Sequence, residues 1–422
     1  MAARSDTAYL DSNANTLMSS DTIAVMVNWF NRGNSSARYK SAEDARSLIQ
    51  AFRNELAAYI SPDFRYVFTS GASESNAQIL RGVSLLYRKK TGRTPHIVSS
   101  AAEHKSILLC LEQLQEYGLA TYTLVSSSPS MHGAASVEDV KNAITPNTCL
   151  ISIMAANNET GALNNLPKLY ELARSANIPY HTDAVQLFGK MPSLCANSDA
   201  FSVSFHKLRG PIGCGMLAIR ESAFPGVGAG KFPALVCGTQ NEGLRGGTHN
   251  MPAVAASYAA FRECMTGPDG KSGVLSRARK NALMARRRYA LIDSLSAIVD
   301  KNIFVFGLDA LPSPPPPVYI WILSPVHSSG LACLPNTLMI SLMKPGLCNR
   351  MIIERLLAKK IIISAGSACN TTDPNISHVL KAMKVPVDIA KSSVRISFDD
   401  STCGSDEIFA RLVAAFREIV VD

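Results

Sequence analysis

Short apolar, β-rich runs alternate with helical stretches over the first two-thirds of the chain, and this alternation constrains the fold most. The expected buried strands are Tyr66–Phe68, His96–Val98, Cys149–Met154, Pro179–His181, Ala200–Ser204 and Met216–Ile219. The expected helices are Ala42–Tyr59, Glu74–Tyr87, Ser106–Tyr117 and Leu166–Ala176. Such alternation predicts an α/β domain whose mostly parallel sheet is covered by helices on both faces.

The last third of the sequence has a different pattern. Helical residues 252–297 and a proline-rich loop, Leu311–Pro317, precede shorter strand and helix signals that end in a helix over Asp406–Val420. We predict a large domain over residues 21–260. A small α+β domain, with a linking helix, is expected over residues 261–422, and the N-terminal segment, residues 1–20, is expected to pack on it.

Composition excludes several classes of protein. Hydrophobic residues make up 47% of the chain, which is enough to fill a sizeable core and excludes a largely disordered chain. The ten cysteines form no Cys-X-X-Cys pair, so we predict no metal site and a reducing compartment. No secretory signal and no apolar span long enough for a membrane are visible, so we expect a cytoplasmic protein.

The net charge of +9 raises the question of a nucleic-acid partner. A basic cluster falls within one helical stretch, at Arg277, Arg279, Lys280, Arg286, Arg287 and Arg288. On a helix these side chains point in several directions, so we expect a solvated linking helix. A site for RNA or an acidic partner is the alternative interpretation.

Three short motifs in the α/β region carry chemistry. Lys207 follows the strand Ala200–Ser204, and a lysine desolvated in this way has a lowered pKa and can form a Schiff base with an aldehyde cofactor. Asp183 ends the preceding strand, where a carboxylate can keep a pyridinium nitrogen protonated. Upstream, Gly71 and Ser73 lie in a strand-to-helix turn whose N–H groups can bind a phosphate.

In this order, the three motifs resemble those of the cysteine desulfurases, which belong to the class V aminotransferase family of pyridoxal 5'-phosphate enzymes with fold-type I. The resemblance extends from Tyr9-Leu10-Asp11 to Ser397. It implies that Lys207 is the Schiff-base lysine and Asp183 the pyridinium partner. It also implies that Gln186 binds the ring oxygen, and that His104 stacks on the ring and transfers protons.

The resemblance implies further contacts to the cofactor phosphate, from Ala72, Ser73, Ser204 and His206. Thr248 would reach the phosphate from a second subunit, which implies a homodimer. For the substrate, Arg395 would bind the α-carboxylate through its two-pronged guanidinium group. Asn158 would contact substrate and ring, and Asn34, with Arg38, matches a further substrate segment.

Cys369 is the expected nucleophile, because Ser364-Ala365-Gly366-Ser367-Ala368-Cys369 resembles the mobile catalytic loop of this family. The implied reaction removes sulfur from L-cysteine and yields L-alanine and a persulfide on Cys369. The persulfide would pass to an acceptor in iron–sulfur cluster assembly or tRNA thiolation. The spacing from Cys369 to Arg395 is similar to that of the branch with the longer loop, which favours a protein acceptor.

The sequence departs from the family pattern at some positions. Phe205 stands where a glycine is common, and Cys237–Glu242 replaces the usual run rich in glycine and histidine. The chain ends at Asp422, soon after its final helix, so we do not expect the longer tail that docks an iron–sulfur scaffold protein in bacterial members.

Other functions remain as alternatives at this stage. A selenocysteine lyase or another class V lyase would use the same cofactor site. A non-catalytic scaffold would need none of the residues Lys207, Asp183, His104, Cys369 and Arg395, so their joint presence disfavours it. In a third alternative the enzyme acts in tRNA thiolation, with the basic stretch 277–288 close to the RNA.

Overall fold

A computed structural model describes residues 6–32, 34–224, 226–227, 231–266, 273–366 and 376–421. Its strands are β1 (Ala8–Tyr9), β2 (Phe64–Thr69), β3 (His96–Ser100), β4 (Thr121–Val125), β5 (Thr148–Ser152), β6 (Tyr180–Asp183), β7 (Ala200–Ser204), β8 (Gly215–Arg220), β9 (Ile303–Val305), β10 (Tyr319–Ile322), β11 (Thr337–Met343), β12 (Ile361–Ile362) and β13 (Ser393–Ser397).

The helices are α1 (Ser20–Asn28), α2 (Lys40–Tyr59), α3 (Ala72–Thr91), α4 (Lys105–Glu116), α5 (Val137–Asn142), α6 (Leu166–Ser175), α7 (Met251–Met265), α8 (Val274–Ile298), α9 (Asn349–Ala358), α10 (His378–Ala382), α11 (Val387–Lys391) and α12 (Asp406–Val421). Within the described ranges, none of them combines the length and the apolar character that crossing a membrane would require.

The larger sheet has the strand order β2-β8-β7-β6-β5-β3-β4. Strands β3 to β7 run parallel to one another, and β8 runs antiparallel to both of its neighbours. The predicted α/β class with a mostly parallel sheet is therefore confirmed. The edge strand β4 was not predicted, because partly exposed residues alternate along it and leave no continuous apolar run.

Helices cover both faces of this sheet, as its buried strands require. On one face, α2, α6 and α7 bury apolar side chains such as Phe52, Leu169 and Phe261. On the other face, α3 and α4 bury Leu80, Leu111 and their neighbours. Both cores hold the strands firmly, so the loops at the carboxyl ends of the strands have a rigid base.

The second sheet has the order β13-β11-β10-β9, and its core lies against α8, α9 and α12. The N-terminal strand β1 pairs in parallel with β12, and Ser12 N donates to Ser397 O at 3.0 Å. The chain then reaches the turn that follows β7 of the larger sheet, where Thr16 N donates to His206 O at 3.0 Å. Residues 11–16 therefore connect the two sheets.

Helix α8 corrects the expectation of a solvated basic helix. Arg277 and Arg288 are 3% and 1% exposed, so the helix buries two of its cations. Arg277 donates to both carboxylate oxygens of Asp400, at 2.6 and 2.7 Å, and Lys280 lies 3.2 Å from the same carboxylate. Arg288 donates to the carbonyl oxygens of Thr337 and Pro325. Much of the basic charge thus has internal partners, which weakens the case for RNA binding on this helix.

Candidate active site

A cavity of about 420 Å³ lies at the carboxyl ends of the strands of the larger sheet. Predicted site residues line it, namely Ala72, Ser73, His104, Asn158, Asp183, Gln186, Ser204, His206, Lys207 and Arg395. They come from the carboxyl ends of five strands of the larger sheet (β2, β3, β5, β6 and β7) and from β13 of the second sheet. The structure therefore brings together most of the residues that the motifs singled out.

Three predicted residues are not placed in this cavity. Thr248 lies in the loop before α7, and Asn34 lies before α2, where its backbone N–H donates to the Tyr39 hydroxyl at 3.1 Å. Cys369 lies outside the described residues. The loop that leads to it begins at the cavity, because Ser364 and Gly366 line the wall.

The N-terminus of α3 forms one end of the cavity. The capping residue, Gly71, offers no side chain to the first turn, and Ala72 N donates to Ser204 Oγ at 2.8 Å. The free N–H groups of a helix N-terminus favour an anion. His206 contacts Asn15 Oδ1 at 3.0 Å, and burial lowers its pKa to about 4, so its ring is neutral at pH 7.

Lys207 lies on a short 3₁₀ turn, Phe205–Lys207, that follows β7 directly. Its Nζ atom donates to the carbonyl oxygens of Asn13 and Ala14, at 2.7 and 2.5 Å. Burial lowers the pKa of Lys207 to about 8, and Arg395 contributes in the same direction, against the opposite effect of Asp11. A neutral amine, which is a nucleophile and a base, is therefore accessible near physiological pH.

Asp183 is the last residue of β6, and its carboxylate is held by two donors. Asn76 Nδ2 donates to Oδ2 at 2.8 Å, and Val185 N donates to Oδ1 at 3.0 Å. Only 6% of the residue is exposed. Nearby, Gln186 Nε2 donates to Asn13 O at 3.0 Å. The cavity thus has a fixed carboxylate, suited to a cationic or protonated ring nitrogen.

His104 caps the N-terminus of α4 and faces the same cavity. Its Nδ1 atom accepts from Ser106 N at 3.2 Å, which places the proton of a neutral ring on Nε2. Burial lowers the pKa of His104, and Lys207 acts in the same direction, whereas Asp183 opposes the shift. A neutral histidine that can accept or donate a proton therefore lies beside the carboxylate and the lysine.

Glu103, the residue before His104, is entirely buried. Burial raises the pKa of Glu103 well above its ordinary value, although Met154 N donates to Oε1 at 2.6 Å and opposes the shift. The charge of Asp183 acts on the pKa of Glu103 in the same direction as burial, so both favour the protonated carboxyl.

Arg395, in β13, forms the opposite end of the cavity. Its Nη2 atom donates to Asp11 Oδ1 at 2.6 Å, and its Nη1 atom donates to Asn158 O at 2.9 Å. Arg395 therefore brings a cation to this end of the cavity, and its side chain is 3% exposed.

Sequence reasoning missed three residues that support the site, namely Asp11, Asn13 and Asn76. Asp11 could have been found from the sequence, because it stands in the motif Tyr9-Leu10-Asp11, where the family resemblance begins. Asn76 lies one turn into α3, on the side that faces Asp183. No sequence pattern indicates a role for Asn13, because its contacts depend on how the two sheets pack together.

The fold and site together define an α/β enzyme with a desolvated lysine and a buried carboxylate at the carboxyl edge of its parallel strands. The sequence model of the family described as aminotransferase class-V matches residues 8–299. The chain belongs to this family, which confirms the resemblance inferred from the motifs.

The chain is similar over nearly its whole length to proteins of known description. It is 30% identical to a cysteine desulfurase of Bradyrhizobium diazoefficiens, with 98% of this chain and 97% of the relative covered. A structure described as a NifS-like protein superposes with a TM-score of 0.79 at 26% identity, covering 98% of this chain and 99% of the other. Another, described as SspA in complex with cysteine, gives a TM-score of 0.71 at 26% identity, covering 93% and 99%.

Proposed function

We propose that the protein is a cysteine desulfurase that converts L-cysteine to L-alanine and retains the sulfur as a persulfide on Cys369. The observation that carries this proposal is the convergence of Lys207, Asp183, His104 and Arg395 on one cavity. Full-length similarity to a cysteine desulfurase and to a structure in complex with cysteine supports the same substrate.

The donor set of the cavity fits pyridoxal 5'-phosphate. The N-terminus of α3, whose capping residue Gly71 has no side chain, suits a phosphate together with Ser73 and Ser204, and the buried Asp183 suits a protonated ring nitrogen. Lys207 would bind the aldehyde carbon, and Gln186 and His104 would flank the ring. When bound, the cofactor would supply an aldehyde for amine exchange and a ring that accepts electrons from the substrate carbon.

Residues along the cavity would then have separate roles in binding the substrate and transferring protons. Arg395 would anchor the substrate carboxylate at the β13 end, with Asn158 beside it. Lys207, whose pKa is lowered to about 8 by burial, would take and return a proton at Nζ. His104 would hold or release a proton at Nε2 near the reacting groups. The surrounding buried residues exclude water, which strengthens each of these interactions.

Cys369 would supply the nucleophile. Attack of its thiolate on the substrate sulfur forms the S–S bond and breaks the substrate C–S bond, so that the electron pair stays with the carbon skeleton. Proton uptake there completes L-alanine, and the persulfide remains on Cys369. Ser364 and Gly366 at the cavity wall support this role, because they place the start of the loop beside the other groups.

We also propose a homodimer, in which Thr248 of each chain contributes to the phosphate site of the other. Exposed apolar side chains near the N-terminus support self-association, because Val27 and Phe30 are 59% and 62% exposed. The persulfide would pass to a protein acceptor in iron–sulfur cluster assembly or tRNA thiolation.

The decisive experiment measures sulfide and alanine release from L-cysteine, in the presence of a reductant, by the protein loaded with pyridoxal 5'-phosphate. Wild-type protein should release both, and Lys207→Ala should release neither and lack the visible cofactor band. Cys369→Ser should keep the band and lose sulfide release. Cys348→Ser, at the start of α9 and outside the cavity, serves as the matched thiol control and should retain activity. Normal release by Cys369→Ser would disprove the assignment of the nucleophile.

A further inference from the structure

The ion pair between Asp11 and Arg395 occupies the end of the cavity where the substrate carboxylate should bind. Asp11 Oδ1 and Arg395 Nη2 are 2.6 Å apart, and the two side chains are 15% and 3% exposed. Both residues line the cavity. A charge pair this close and this well shielded from water interacts more strongly than a surface pair.

A carboxylate can bind a guanidinium in the two-pronged manner through Nη1 and Nη2 or through Nε and Nη2, and both arrangements use the nitrogen atom that Asp11 already contacts. Nη1 donates to Asn158 O at 2.9 Å. Nε is buried, and it has no hydrogen-bond partner among the residues that the structure describes. A carboxylate bound in the two-pronged manner needs two adjacent N–H donors. An incoming carboxylate must therefore share Nη2 with Asp11 or displace it.

The position of Asp11 is fixed by the backbone around it. Strand β1 pairs with β12, and Asp11 forms a bridge with Ser397 at the end of β13, two residues beyond Arg395. Tyr9 Oη also donates to Asp11 O at 3.3 Å. These contacts bring the carboxylate to Arg395 before any substrate arrives, so the pair is a property of the fold.

We propose that Asp11 is a positioning residue that competes with the substrate carboxylate for Arg395 and thereby sets the selectivity of the cavity. The inference rests on the proposed function, because it takes Arg395 as the carboxylate anchor. Asp11 holds the guanidinium in place and offsets its charge. A simple carboxylate then gains little from binding, whereas an α-amino acid gains further contacts through its amine.

The probe for this competition is 3-mercaptopropionate, which has the carboxylate and thiol of cysteine but no amine. We would measure its affinity for the cofactor-loaded protein by calorimetry. Asp11→Asn removes the competing charge with little change in shape, so the probe should bind roughly tenfold more tightly. The KM for L-cysteine should fall in the same direction, while kcat changes less than about threefold.

Three further variants make the result specific. Asp11→Glu keeps the charge and should bind the probe like wild type, and Asp11→Ser is a second neutral variant that should behave like Asp11→Asn. Asp6→Asn is the matched control. Asp6 lies in the same N-terminal segment as Asp11, but it pairs with Lys360 and Arg411 and does not line the cavity. This variant should leave the affinity for the probe unchanged.

The outcomes separate this inference from the proposed function. If Arg395→Lys binds the probe as well as wild type does, Arg395 is not the carboxylate anchor and the proposed substrate site fails. If Arg395→Lys loses the probe but both neutral variants of Asp11 bind it no better than wild type, only the competition is overturned. Tighter binding in Asp6→Asn as well would also overturn it, because the effect would then come from loosening the segment.

Discussion

Lys207 Nζ donates to the carbonyl oxygen of Asn13 at 2.7 Å, which links the strand-end lysine to the N-terminal segment. Asn13 also binds the second sheet, because its Nδ2 donates to Thr337 Oγ1 at 2.9 Å and its backbone N–H donates to Ser397 Oγ at 3.0 Å. The position of the amine is therefore set by both sheets together. Any group that bonds to the amine must first replace its hydrogen bonds to the N-terminal segment.

Uptake of pyridoxal 5'-phosphate by the cofactor-free protein should depend on pH through Lys207. Burial lowers the pKa of this amine to about 8, so the neutral fraction at pH 7 is ~10%, against ~0.03% for an ordinary lysine. The charged groups that act on this pKa are Arg395 and Lys190, which lower it, and Asp11 and Asp183, which raise it. The rate of uptake, followed by visible absorbance, should rise from pH 6.5 to about 8 and then level off. A rate that keeps rising to pH 10 would contradict the lowered pKa.

Asn76→Ala should reduce turnover by weakening the hold on Asp183. The variant removes the donor that lies 2.8 Å from Asp183 Oδ2, and hydrogen bonds to charged groups contribute ~1.5–3 kcal/mol. We expect kcat for alanine release to fall about tenfold, with a smaller change in KM. Gln78→Ala is the matched control, because Gln78 is also a buried amide on α3 but binds Leu244 O. It should lower stability without changing kcat, and an equal loss of kcat in both variants would point to a general effect on α3.

The sequence was sufficient to locate the core of the site for a geometric reason. Asp183, Ser204 and Lys207 each stand at or just beyond the carboxyl end of a strand, and parallel strands bring these ends to one edge of the sheet. The positions of these residues at the ends of predicted strands, and the parallel direction of the strands, are therefore enough to predict that they lie near one another. No knowledge of the distant parts of the chain was needed.

Contacts that join distant parts of the chain could not be predicted in the same way. Asp11 and Arg395 are separated by 384 residues and meet only because β1 joins β12 beside β13. The burial of Arg277 depends on Asp400, which is 123 residues away. In a periodicity argument an arginine is simply a polar residue, so the pattern cannot show that a distant carboxylate pairs with it in the folded protein.

Asp400→Asn should destabilise the protein strongly. It would leave Arg277, which is 3% exposed, without its carboxylate, and breaking one side of a buried pair costs ~3–5 kcal/mol. The midpoint of urea unfolding should fall accordingly. Charge reversal at the exposed Arg286 should leave it nearly unchanged, which makes this variant the control on the same helix.

The effect of Asp400→Asn should also depend on pH. Burial alone would raise the pKa of Asp400, but hydrogen bonds from Arg277 outweigh burial and hold the pKa below its ordinary value. A carboxyl with a lowered pKa stabilises the fold above its unfolded pKa, and this contribution is lost as the pH falls through the folded value. The difference in stability between wild type and Asp400→Asn should therefore shrink below about pH 4. A constant difference down to pH 2 would mean that the charge of Asp400 is not what stabilises the pair.

Gly215→Ala should weaken cofactor binding, because it disturbs the turn that precedes α3. A Cβ atom at Gly215 would lie 2.4 Å from Gly71 Cα and 2.5 Å from Val203 O, and all of these are backbone atoms that cannot rotate away. The backbone at Gly71, which begins the phosphate end of the cavity, must therefore move. We expect the affinity for pyridoxal 5'-phosphate to fall about tenfold and stability to fall by ~1–3 kcal/mol.

The facing glycine provides the matched control for this prediction. A Cβ atom at Gly71 would have Ser204 Oγ as its nearest neighbour, at 3.6 Å, which is an ordinary contact. Gly71→Ala should therefore bind the cofactor nearly as well as wild type. It adds the same methyl group as Gly215→Ala, but on the other of the two glycines that lie against each other. Equal losses of affinity in the two variants, measured by fluorescence titration of the cofactor-free proteins, would show that backbone freedom at the turn matters more than the close approach at Gly215.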